Sequence, residues 1–344
     1  MKFLFPFLFL FISFSVLAEQ FDSLIANNTA SINPAEEIII IGRRPGPPLW
    51  RLENGDNTLW VFALVSPIPK SFEWDSSGIE HIIADSQQYF PLPNLKLNAS
   101  ILNPIKLVGM LRRYNKLKKL PNNESLETYL PADEYNKFQV LMERYAPNSK
   151  KLIRLRPLFA AEELYKKARN EYGLIGPDKI ASAINKLAKR NKLTITKIKV
   201  REEIESKSFF ESIESISKSD HISCLSSAMN DLDNEIDSLI NDALLWADGD
   251  PKALIENSQP RAFESCFEYF KSNDQIRRII SQSETQWLNE TQQALERNRS
   301  SFAVLELHDV IKPDGLLSKL AARGYKLVGP TRSTITNTVN TNDD

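Results

Sequence analysis

The sequence has no excess of charge of either sign: 43 Lys and Arg stand against 44 Asp and Glu, a formal charge of −1. Such a chain has no global attraction for a polyanion, which excludes a dedicated nucleic-acid binder from the expected classes. Two cysteines and three histidines are present, with no CxxC pair and no lipobox cysteine, so neither a structural zinc cluster nor a lipid anchor is written into the chain. No period of 20–50 residues recurs, which excludes solenoids and propellers. Beyond residue 18 no segment approaches the roughly 20 apolar residues of a membrane span. What remains, at 42% apolar residues, is the composition of a folded protein. The length allows one large domain or two smaller ones.

Residues 1–18 read as a signal peptide. Lys2 supplies the positive charge, Phe3 to Val16 is almost wholly apolar, and Val16-Leu17-Ala18 places small residues before Glu19. Cleavage there leaves 326 residues at −2 and removes six of the 18 phenylalanines. The uncleaved anchor is the alternative. Export places the protein in the periplasm, where disulfides persist. Cys224 and Cys266 both fall in helical stripes, Ile222 to Ile240 and Ala262 to Phe270. A bond between them would staple two helices through a loop of about 40 residues, worth about 3–4 kcal/mol. Two buried free thiols are the other reading.

Residues 19–48 read as a linker ending in Pro45-Gly46-Pro47-Pro48, where missing donors favour extended chain. Within it, Glu36-Glu37-Ile38-Ile39-Ile40-Ile41-Gly42-Arg43-Arg44 resembles a TonB-box-like segment that docks by strand addition. Pairing of Ile38–Ile41 within the protein's own sheet is the plainer possibility. Leu49 to Glu53, the turn Asn54-Gly55-Asp56-Asn57, and Thr58 to Val65 predict a β-hairpin whose second arm is covered on both faces. Helices are expected near 76–88, 103–119, 131–145, 157–172, 177–190, 219–247, 261–271 and 275–298, and a strand over 193–200. A strand at 301–307, a helix at 313–322 and a strand at 325–329 close the chain as a β-α-β unit. The fold class is therefore α/β, mixed α+β. A small, mostly parallel sheet from the two ends, residues 49–330, carries a helical insertion over about 100–298, followed by a frayed tail at 331–344.

Pro47-Pro48-Leu49-Trp50-Arg51, then Asp56 to Ala63, resembles the opening of the TraB/GumN proteins, relatives of the Tiki membrane proteases. Arg297-Asn298-Arg299, Phe302 to His308, Pro313 to Leu317 and Arg323-Gly324-Tyr325 resemble the family's closing segment. That resemblance implies two Gly-x-x-His motifs and an intervening Glu holding a divalent metal, manganese or zinc, for peptide hydrolysis. Here the first motif reads Ala63-Leu64-Val65-Ser66, without Gly or His. The late one reads Leu305-Glu306-Leu307-His308, keeping only the His. The intervening stretch reads Ala84-Asp85-Ser86-Gln87-Gln88, with amides where a carboxylate is expected. His308 is thus the one recognisable metal ligand, and catalytic sites usually present three. The Ser-Pro variant of the first motif resembles secreted GumN-like members.

The candidate catalytic residues are Ser66, Glu306 and His308. Ser66 and His308 follow the carboxyl ends of their strands, where ligands of open α/β sheets collect. Period two places Val304, Glu306 and His308 on one face. A Ser-His-Glu hydrolase would need all three within about 3 Å of each other. Gln87, Arg297, Asn298 and Arg299 are the candidate substrate-binding residues, the guanidinium groups as clamps for a carboxylate or phosphate. The arginines also suit a helix C-terminus. His81 has no acid or thiol at i±4, and His221, three residues before Cys224, has no second ligand pair. Two functions follow as expectations. One is a binding or accessory protein of envelope or exopolysaccharide biology, its partner an envelope protein, peptide or polysaccharide. The other is an active metal-dependent peptidase.

Overall fold

The computed structural model describes residues 46–71, 73–93, 104–200, 206–234, 236–257, 266 and 273–331. The expected signal peptide, the 36–44 run, most of the linker, most of the 261–271 helix and the tail beyond Thr331 lie outside them.

The strands are β1 (Leu49–Asn54), β2 (Asn57–Leu64), β3 (Ile68–Pro69), β4 (Gln88–Phe90), β5 (Leu174–Ile175), β6 (Thr194–Ile195), β7 (Ser300–Glu306) and β8 (Lys326–Thr331). Six form one sheet in the order β6-β4-β7-β2-β1-β8, while β3 and β5 pair separately. The hairpin turns where the sequence predicts it. Asn54 pairs with Asn57 across a two-residue loop, and Gly55, at φ +59°, takes the first central position that primed hairpin turns reserve for glycine. β2 runs parallel to β7 over seven residue pairs, from Thr58↔Ser300 to Leu64↔Glu306, so Trp60 stands beside Phe302. The two ends of the chain therefore build one sheet. β4, β6, β7 and β2 are mutually parallel, and β1 is antiparallel to both its neighbours. β7 and β8 run the same way, as a β-α-β unit requires, with β2 and β1 inserted between them.

Helices α1 (Ser77–Asp85), α2 (Pro104–Leu117), α3 (Leu126–Tyr129), α4 (Ala132–Tyr145), α5 (Pro157–Glu171), α6 (Asp178–Arg190), α7 (Ser206–Glu214), α8 (Lys218–Asn234), α9 (Ile236–Ala247) and α10 (Pro251–Asn257) precede β7. So does α11 (Asp274–Arg297), which starts where the Asn273 side chain accepts from the Gln275 and Ile276 amides. α12 (Leu307–Ile311) and α13 (Leu316–Ala322) lie between β7 and β8.

The sequence reading runs the first helix to residue 88, but it ends at Asp85. Ser86 donates its hydroxyl to the Ile82 carbonyl, and the next residues turn into β4, whose Tyr89 and Phe90 are fully buried. Aromatic residues suit a pleated, buried surface, and burial decides the contest. The strand expected over 193–200 shrinks to Thr194 and Ile195, which form an edge beside β4.

The main core covers the sheet. Phe62, Phe302, Trp74 and Trp246 cluster on one face, with Phe62–Trp246 centroids 5.7 Å apart and Trp74–Trp246 5.6 Å apart. A second core, between α4, α5 and α8, contains Leu141, Leu164, Leu225 and Met229 together with the Cys224–Cys266 disulfide. The disulfide reading of the cysteines is therefore the one the fold adopts. Among the described residues no helix is long and apolar enough to cross a membrane.

Candidate functional site at the ends of two parallel strands

The register Leu64↔Glu306 places the ends of β2 and β7 side by side. Ser66 lies two residues past β2 and is half-buried, while Glu306 and His308 are exposed. One end of the sheet thus gathers Ser66, Glu306 and His308. The alternation expected of Val304, Glu306 and His308 stops at Glu306, because Leu307 begins α12 and His308 sits in that helix, not on the strand. Burial of Leu307 and Val310, three apart, favours the helical turn. Gly315 closes the loop that follows. A Cβ there would stand 2.5 Å from the Asp309 carbonyl oxygen, so only glycine fits.

A Ser-His-Glu relay needs the three groups within about 3 Å of each other, and here Glu306 stands at the N-cap of α12 with His308 inside that helix. The donor set does not suit a divalent ion. Among the described residues no group of three His, Cys, Asp or Glu side chains that could hold a metal is present, and one imidazole with one carboxylate falls short of the three protein ligands that catalytic sites usually present.

The candidate substrate-binding residues lie elsewhere. Gln87 precedes β4, and Arg297, Asn298 and Arg299 precede β7, so they flank the amino ends of these parallel strands. The six steps from Ser300 to Glu306 span about 20 Å at the usual strand rise. No single small ligand touches both groups. The amide side chains are employed structurally. Gln87 Oε1 accepts from the Arg299 backbone amide at 2.7 Å, and Asn298 Nδ2 donates to Gln88 Oε1 at 2.8 Å and Ser301 Oγ at 3.1 Å. Asn54 and Asn57 at the hairpin tip donate to the Leu295 carbonyl at the end of α11, at 3.2 and 2.9 Å. This network locks hairpin, helix and β7 together.

Sequence reasoning missed Trp246. Its Nε1 donates to the Ala63 carbonyl at 2.7 Å, just past the point where β1 stops pairing with β2 at Leu49↔Phe62. A contact across 183 residues leaves no local signal.

His81 is exposed on α1. His221 is 1% exposed, and neither ring nitrogen has a partner. Burial first, then the nearby Arg156 charge, pushes its pKa down to about 4, against the opposing pull of Asp220. The fold therefore holds a neutral imidazole that the unfolded chain protonates below about pH 6.5. Its favourable contribution is complete above that pH and is lost as pH falls toward 4. Unfolding in urea at pH 7 and pH 4.5 is expected to show about 2–3 kcal/mol of acid loss that His221→Leu abolishes. An equal loss in both proteins would place the acid sensitivity in other groups.

No curated protein and no solved structure matches the chain significantly. The TraB/PrgY/gumN family matches residues 48–328, from the proline before β1 to the middle of β8 and so across every strand of the sheet, and the chain belongs to that family.

Proposed function

We propose that this chain is a binding or accessory member of the family, secreted into the periplasm of a Gram-negative cell and serving envelope or exopolysaccharide biology. Its ligand, a peptide, polysaccharide or partner protein, rests in the crevice where β2 and β7 end, without turnover. The observation that carries this reading is the side-by-side ending of the two strands with Ser66 where the family motif would supply an imidazole. Ligands of open α/β sheets collect at such ends. His308 beside Glu306 can hydrogen-bond a ligand, and among the described residues it has no further companions that would hold a metal-activated water. The described disulfide is compatible with secretion.

The test is metal content. Protein purified from unsupplemented cells is expected to carry no stoichiometric manganese or zinc, and His308→Ala to leave that unchanged. One equivalent of divalent metal that disappears in His308→Ala would replace this reading with an active peptidase.

A further inference from the structure

The near-neutral charge of the whole chain hides an uneven distribution. Residues 104–123 contain six Lys or Arg and no acid, and residues 146–161 contain four more and no acid. The remaining 33 basic residues then face all 44 acids. The fold brings the two basic stretches together. Lys119 bridges to Leu155, the Leu120 amide donates to the Arg154 carbonyl at 2.9 Å, and the Arg156 amide donates to the Lys118 carbonyl at 2.8 Å. Carboxylates answer only part of this charge, Glu163 near Lys118 and Glu214 near Arg113. Arg112, Lys116, Lys119, Lys150 and Lys151 are exposed and have no ion pair among the described residues.

α2 carries the centre of this patch. Its inner face, Met110, Tyr114 and Leu117, packs with Phe159, Phe210 and Ile213. At helical spacing the opposite face presents Val108, Leu111, Arg112 and Lys116. Val108 and Leu111 are 48% and 42% exposed, two of the few large aliphatic side chains left open among the described residues. Aliphatic groups set among cations suit the headgroup boundary of a bilayer, where burial of apolar area and attraction to anionic lipid add. A soluble polyanion would use the cations and ignore the aliphatics, and the aromatic ring of the same helix, Tyr114, is packed edge-on against Phe159, not open for stacking on a base.

We propose that the outward face of α2 docks on an anionic phospholipid bilayer. Val108 and Leu111 enter the headgroup boundary, and Arg112, Lys116 and Lys119 meet lipid phosphates. This surface belongs to the helical insertion and stands whether or not the strand-end crevice binds anything.

The full chain is mixed with phosphatidylcholine vesicles, with and without phosphatidylglycerol, and the bound fraction is measured by co-sedimentation. Binding is expected to depend on phosphatidylglycerol and to fall as salt rises. Arg112→Gln and Lys116→Gln should each weaken it about fivefold, and together about 25-fold. Val108→Ser with Leu111→Ser should weaken it at unchanged charge. The apolar stretch at residues 3–16 is common to all variants, so neutral vesicles measure its contribution and the comparison cancels it. All four positions are exposed, and an unchanged urea midpoint confirms that the variants fold. Equal binding to neutral and anionic vesicles overturns the proposal. So does a serine pair that binds vesicles like the parent while inorganic polyphosphate competes fully, since that result describes a polyanion site.

Discussion

Breaking the Cys224–Cys266 bond, with dithiothreitol or by Cys224→Ala with Cys266→Ala, is expected to lower stability by about 4 kcal/mol. The bond closes a loop with a sequence separation of 42 and holds Cα atoms 5.1 Å apart. Most of the effect belongs to the unfolded chain, which regains the freedom that the closed loop denies it. Both sulfurs are buried in the core between α4, α5 and α8, apart from the residues that cover the sheet. Loss of the bond should therefore loosen the insertion first. Urea unfolding with and without reductant measures the total, and amide exchange locates it. Faster exchange is expected in α5 and α8, with β2 and β7 protected longer. An unchanged midpoint after full reduction would mean that the unfolded chain gains no freedom when the loop is opened, which overturns the expectation.

The elements that the sequence reveals are those whose own residues declare them. Asn54-Gly55-Asp56-Asn57 between apolar runs specifies a hairpin, and the buried runs in β2 and β7 specify strands covered on both faces. The meeting of Trp60 with Phe302 follows from the family motifs, not from any local pattern. β4 escapes because three residues, Gln88–Phe90, cannot show an alternation against the helical periodicity of the residues before them. The separation of Gln87, Arg297, Asn298 and Arg299 from His308 has a different origin. In a parallel sheet, residues that precede a strand and residues that follow it lie at opposite ends. Arg297–Arg299 before β7 and His308 after it could never share a small site, and strand direction alone shows this. The departure of His308 from the strand face was not legible, since a five-residue helix at Leu307–Ile311 leaves too little periodicity to read.

Trp246→Ala is expected to cost about 3–5 kcal/mol in lost packing, with a further about 1–3 kcal/mol if the Ala63 carbonyl is left buried without a donor. Trp246 is fully buried, and its indole touches Phe62 and Trp74 while reaching Ala63 at 2.7 Å. Trp246→Phe retains most of the packing contribution and loses the donor. It keeps a ring against Phe62 but removes the donor together with part of the buried indole volume, so a loss of at least about 1–3 kcal/mol, smaller than that of Trp246→Ala, is expected. Urea midpoints of both variants give the totals. Ala63 lies three residues before Ser66 on the strand that ends at the crevice. Water that replaces the indole donor must enter there, so amide exchange at residues 63–66 should rise in Trp246→Phe more than in β7. If exchange rises equally in both strands, the indole acts as general packing and does not hold the end of β2 in place.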